Sequence, residues 1–141
     1  MTAAETSPGQ GGSTAGRPRP RVVLVEDHVR VREHLVTMLE SAGFDVVAAV
    51  DSRAAGYRAV LDHHPDLAVV DNRLPDGRGV ELAAVLRERA ADVGVVIHSG
   101  AITAEETATA LRHGVLEVVT KDVRARTLVD ALRRHTRGRR R

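Results

Sequence analysis

Five short apolar runs dominate this 141-residue chain: VVLV at 22–25, VVAAV at 46–50, LAVV at 67–70, GVVIH at 94–98 and LEVV at 116–119. Each is only four or five residues long, and four of them are dense in β-branched Val and Ile. Unbroken apolar runs of this length, with no polar alternation, read as strands buried on both faces, as in a parallel sheet. The segments between them carry helical spacing. Val31, Leu35, Met38 and Leu39 fall at i, i+4, i+7 and i+8, Leu82, Val85 and Leu86 repeat the pattern, and so do Leu128 and Leu132. Gly43 and Gly114 stand where helix stops are expected. A strand–helix unit repeated five times, with crossovers of this length, predicts a right-handed, doubly wound α/β sandwich around one parallel sheet.

A length of 141 residues suits one domain with a full core, and 43% hydrophobic residues can supply it. Phe44 and Tyr57 are the only aromatic residues, which argues against base-stacking platforms for single-stranded nucleic acid. The absence of cysteine excludes disulfides, thiolate chemistry and Cys-ligated metal. No apolar run approaches the ~20 residues of a membrane span, and the N-terminus lacks the apolar stretch of a secretory signal, so a cytoplasmic location and no membrane partner are expected.

Residues 1–20 are rich in Gly, Ser, Thr, Pro and Ala without a large apolar side chain, and are expected to be a disordered tail. The folded unit is expected over 21–135 and a basic tail over 136–141. The net charge of +2 divides unevenly: residues 1–20 carry +1 and residues 136–141 carry +4, which leaves −3 on the folded part. The arginine tail is expected to be a solvated helix end, with no sequence readout of nucleic acid.

In a doubly wound sheet the functional crevice lies beyond the carboxyl ends of the strands. After the first strand come Glu26 and Asp27, after the third Asp71 and Asn72, after the fourth Ser99 and Gly100, and after the fifth Thr120 and Lys121. Asp51 and Ser52 follow the second strand, at the sheet edge. Three converging carboxylates repel one another unless a cation or a proton intervenes. Oxygen donors without His or Cys suit Mg2+. Lys121 is the only lysine among 21 basic residues. A compact ammonium fits among crowded oxygens where a planar guanidinium fork does not.

VVLVEDHVRVREHLVTMLESAGFDVV and PDLAVVDNRLPDGRGVEL resemble the receiver domain of two-component response regulators, over about residues 21–135. EDH, PDGRG and TKD most resemble receivers that precede helix-turn-helix output domains. The resemblance implies a flavodoxin-like (βα)5 fold with strand order 2-1-3-4-5. It also implies that Asp71 takes a phosphoryl group from a kinase phosphohistidine. Glu26, Asp27, Asp71 and the backbone carbonyl of Arg73 would hold Mg2+, with Asp27 a direct ligand. Ser99 would hydrogen-bond a phosphoryl oxygen, and Lys121 would pair with Asp71 before transfer and with the phosphoryl group after it. The implied partners are a sensor histidine kinase or a histidine phosphotransfer protein, and a second copy of the chain in a phosphorylation-dependent homodimer.

One position departs from the family. Receivers usually carry Tyr or Phe three residues before the lysine, where this chain has Val118. Asp122 stands where many receivers have Pro, and is expected to be an exposed helix-start residue. Asp76 reads as a turn residue, His63 and His64 in LDHHPD as a solvated helix end, His28 as a solvated loop residue, and His98 as a partly buried, hydrogen-bonded one. The leading expectation is a stand-alone receiver acting as a phosphorylation switch in a phosphorelay. The alternatives are the receiver part of a DNA-binding transcriptional regulator, a small aspartate-based phosphatase, and a receiver read without phosphorylation. VEDHV lacks the Asp-x-Asp pattern that such a phosphatase would show.

Overall fold

The computed structural model describes residues 18–121 and 125–136. The Asp122 position and nearly all of both predicted tails lie outside the described residues. The chain runs β1 (Arg21–Val25), α1 (Val29–Ser41), β2 (Asp45–Val50), α2 (Arg53–His63), β3 (Leu67–Val70), β4 (Arg73–Leu74), β5 (Gly77–Arg78), α3 (Gly79–Arg89), β6 (Gly94–Ser99), α4 (Ala104–Arg112), β7 (Glu117–Thr120) and α5 (Ala125–Thr136). β2-β1-β3-β6-β7 form one parallel sheet, the expected order, and β4 and β5 form a separate antiparallel hairpin.

The two faces of the sheet explain the unbroken apolar runs. Val22, Leu24, Val69, Val96 and Val119 pack on one face against Leu35 and Leu39 of α1 and Leu128 and Leu132 of α5. Val23, Val25, Ala68, Val70 and Ile97 pack on the other against α2, α3 and α4, through residues such as Val60, Leu82 and Ala110. Double-sided burial holds for β1, β3 and β6. The edge strand β2 is only half-buried, because it has one neighbour instead of two. α1 and α4 end just before Gly43 and Gly114, both at positive φ. In α3 the buried face is Gly79, Leu82, Ala83 and Leu86, which turns Val85 out of the core to 44% exposure.

The hairpin β4–β5 has no counterpart in the five-unit reading. Its strands are two residues each, and it closes at its base where Gly79 N–H donates to the Asn72 carbonyl at 2.8 Å. Gly79 sits so near that a Cβ there would lie 2.4 Å from the Asp71 carbonyl oxygen.

Candidate functional site

The parallel ladder continues one residue past the ends of the central strands. Asp71 N–H donates to the Val25 carbonyl at 2.9 Å, and Lys121 N–H to the Ser99 carbonyl at 3.1 Å. This continuation brings residues far apart in sequence to one rim of the sheet. Glu26 is 2% exposed and Asp71 7%, while Asp27 is exposed.

Lys121 is the centre of the cluster. Its Nζ donates to Glu26 Oε1 at 2.6 Å and to Asp71 Oδ2 at 2.9 Å. Ser99 Oγ donates to the other oxygen of Asp71, Oδ1, at 2.8 Å, and Arg73 N–H reaches the same oxygen at 3.3 Å. Glu26 Oε2 accepts from His28 N–H at 3.0 Å. The ammonium thus lies between the two buried carboxylates and offsets their mutual repulsion. Burial by itself would push the Asp71 carboxyl up, but hydrogen bonds from Lys121 and Ser99 outweigh it and hold the group below its usual range. Burial likewise opposes the Lys121 charge, and the hydrogen bonds to Glu26 and Asp71 overcome it and raise its pKa. An ionised carboxylate that accepts hydrogen bonds on both oxygens is held in one orientation.

Carboxylate oxygens of Glu26, Asp27 and Asp71 lie within 4.8 Å of one another and could hold a metal ion. The donor set is all oxygen, which fits a hard divalent cation. Both oxygens of Glu26 already accept a hydrogen bond, whereas Asp27 faces solvent.

Residues 22–133 match the sequence profile of the response regulator receiver domain. The chain belongs to that family. The receiver is 36% identical over 114 residues to the DNA-binding transcriptional activator DevR/DosR of Mycobacterium tuberculosis, covering 80% of this chain and 52% of that protein. It is 42% identical over 77 residues to the virulence transcriptional regulatory protein PhoP of Salmonella typhimurium, covering 55% of this chain and 33% of that one. The receiver therefore spans about half, or less, of these relatives' length. Its fold superposes on the signal receiver domain of the response regulator NarL from Mycobacterium tuberculosis with a TM-score of 0.81, at 29% identity, over 86% of this chain and 99% of that one. A CheY-like receiver from Methanospirillum hungatei has the same TM-score at 21% identity, which speaks to the fold alone, over 86% and 97% of the two chains. A receiver is a signalling phosphoacceptor domain of two-component systems, not an enzyme of the ordinary kind.

Of the strand-end residues singled out from the sequence, Glu26, Asp27, Asp71, Ser99 and Lys121 meet at the rim, Lys121 lying 95 residues from Glu26, whereas Ser52 caps α2 and Asn72 bonds Ala101 and Val80. His63 and His64 end α2 as expected, His64 at φ 49, and lie before β3 at the opposite end of the sheet. His98 departs from expectation. It is buried on the strand beside Ser99, and its Nδ1 has no hydrogen-bond partner among the described residues. Burial, with the Lys121 charge nearby, lowers its pKa to about 4, so the imidazole is neutral. Val118 is half-buried and faces the side of the sheet that carries α2, α3 and α4.

The contacts of Arg78, Asn72 and Asp76 escaped the sequence reading, because most of their partners are remote. Arg78 Nη1 pairs with Glu106 Oε2 at 2.7 Å, joining the start of α3 to the start of α4. The Asn72 amide donates to the Ala101 carbonyl at 3.5 Å, and its Oδ1 accepts from Val80 N–H at 3.2 Å. Asp76 accepts from the first two N–H groups of α2, at 2.7 Å from Arg53 and 3.0 Å from Ala54. The only sequence hint for Asp76 was its place in a turn, a setting that favours Asp for local reasons.

Proposed function

We propose that this receiver accepts a phosphoryl group on Asp71 from a phosphohistidine, with Mg2+ bound, and works as a phosphorylation switch in two-component signalling. The observation that carries the reading is the Lys121 bridge between Glu26 and Asp71, with Ser99 on the second Asp71 oxygen. In the transfer an Asp71 carboxylate oxygen attacks phosphorus, the phosphorus–nitrogen bond of the phosphohistidine breaks, and the leaving imidazole takes up a proton. The product is an acyl phosphate on Asp71.

Asp27, Asp71 and the Arg73 carbonyl would hold Mg2+ directly, and Glu26, with both oxygens already engaged, would orient the outer shell. Bound Mg2+ neutralises charge on the transferred oxygens. Lys121 is placed to follow that charge as it moves from carboxylate to phosphoryl group, and the Ser99 hydroxyl can hydrogen-bond a phosphoryl oxygen. Hydrolysis of the acyl phosphate would reset the switch. We infer a sensor histidine kinase or a histidine phosphotransfer protein as the donor, hence a cytoplasmic site of action, and 21–135 as the receiver unit.

A second reading is that the receiver governs DNA binding, because DevR/DosR and PhoP are transcriptional regulators. A reading frame that continues past Arg141 into a helix-turn-helix would favour it.

The test is intact-protein mass after incubation with Mg2+ and acetyl phosphate, beside Asp71→Asn and a metal-free control. One added phosphoryl group in the wild type alone supports the reading. No adduct on a folded, Mg2+-bound protein overturns it.

A further inference from the structure

The hairpin Arg73–Arg78 carries the Arg73 carbonyl, and its base and tip are held very differently. The base is part of the site. Arg73 N–H donates to Asp71, Gly79 N–H closes on the Asn72 carbonyl, and Gly79 abuts the Asp71 carbonyl so closely that only glycine fits. The tip is exposed and has no apolar anchor of its own beyond half-buried Leu74. What fastens it is polar and comes from α2. Asp76 Oδ1 and Oδ2 accept from Arg53 and Ala54 N–H. Arg53 Nη1 pairs with Glu81 Oε1 at 2.6 Å, and the same Glu81 oxygen accepts from Arg78 N–H at 3.0 Å. Gly77, at φ +148, lets the chain pass beneath this knot, since a Cβ there would meet Glu81 Oε1 at 2.8 Å and Arg53 Cζ at 2.9 Å.

The α2 end of the contact is equally complete. The first free N–H groups of a helix need partners from outside it. Ser52 Oγ takes the third, from Ala55 at 3.1 Å, and the Asp76 carboxylate takes the first two. Helix N-termini favour anions through their aligned peptide dipoles. A carboxylate 23 residues away in the chain thus caps α2 from the tip of the metal-site loop.

We propose that Asp76 is a positioning residue for the metal site: by capping α2 it holds the hairpin in the place from which the Arg73 carbonyl can face a cation at Glu26, Asp27 and Asp71. This rests on the Mg2+ reading given above. Asp76 touches neither the cation site nor Asp71. It sets the fraction of molecules whose hairpin is docked, and apparent affinity falls in proportion to that fraction.

The test uses wild type, Asp76→Ala and Asp76→Asn, the second keeping the turn and one acceptor. Mg2+ affinity is measured by calorimetric titration, amide exchange over residues 73–78 is followed without metal, and the acetyl phosphate reaction is run at limiting and saturating Mg2+. From the usual size of a lost helix cap, the alanine variant is expected to bind Mg2+ more weakly, by up to about fivefold, with faster exchange in the hairpin. The asparagine variant should fall between. The phosphorylation rate should drop at limiting Mg2+ and return to the wild-type value at saturation, which a general loss of stability would not produce. Unchanged Mg2+ affinity in the alanine variant overturns the assignment, whether or not the hairpin exchanges faster. A wild type that binds no Mg2+ overturns the metal reading as well, so the two failures are distinguishable.

Discussion

Replacing Lys121 by Met keeps most of the side-chain volume and removes the charge that separates Glu26 from Asp71. Two charge-assisted hydrogen bonds disappear, at 2.6 and 2.9 Å. At about 1.5–3 kcal/mol each they suggest a loss of about 3–6 kcal/mol. The variant no longer bears the cost of desolvating an ammonium whose side chain is only 25% exposed, which moves the value to the lower end. Protonation sets a ceiling. A carboxyl with an ordinary pKa near ~4 can be neutralised at pH 7 for about 4 kcal/mol, and at pH 5 for about 1.4 kcal/mol. The expected loss is therefore about 3 kcal/mol at pH 7, shrinking to about 1 kcal/mol at pH 5. The sign is the same from both sides. In the wild type, Asp71 lies below its usual range, so its contribution is present above the unfolded-state pKa and is lost as pH falls through the folded value. In the variant, repulsion penalises the fold at neutral pH and fades as one carboxyl takes up a proton. Urea unfolding followed by circular dichroism, in EDTA at pH 7 and pH 5, measures both numbers. Added Mg2+ should stabilise the variant more than the wild type, because it supplies the missing positive charge. A difference below about 1 kcal/mol at pH 7, or one that does not change with pH, would refute the reasoning.

Two further outcomes follow from the same structure. His98 has a folded pKa of about 4 against 6.5 ordinarily, so the unfolded chain binds the extra proton first and stability falls on acidification. Between pH 7.5 and pH 5 this amounts to about 2 kcal/mol, and His98→Leu should abolish that component of the pH dependence in parallel urea titrations. Gly79→Ala would place a Cβ 2.4 Å from the Asp71 carbonyl oxygen and 3.0 Å from Asn72 Cα, both backbone. It should cost at least about 1–3 kcal/mol and lower the yield of the acetyl phosphate adduct by mass, because Asp71 itself must shift.

What the sequence determined by itself is local in origin. Runs such as LAVV and VVLV read as strands buried on both faces, and the spacing between them as helical, so the alternation, the sheet and the identity of its rim were legible from the residues alone. Glu26, Asp27, Asp71, Ser99 and Lys121 could be found because each directly follows a strand. The tertiary structure decided what no local pattern encodes. Two-residue strands leave no periodic signal, so β4 and β5 were invisible. Val85 lies outward because the buried face of α3 centres on small residues at 79 and 83, which hydropathy spacing does not weigh. His98 was expected to find a hydrogen-bond partner, and its Nδ1 finds none among the described residues, where the residue opposite it on β7 is the apolar Val119. The Lys121 bridge spans 95 residues, Arg78–Glu106 spans 28 and the Asp76 cap spans 23. Such contacts depend on how whole elements pack. A polar side chain's choice among remote partners is settled only when the sheet register and the helix positions bring one of them within hydrogen-bond reach.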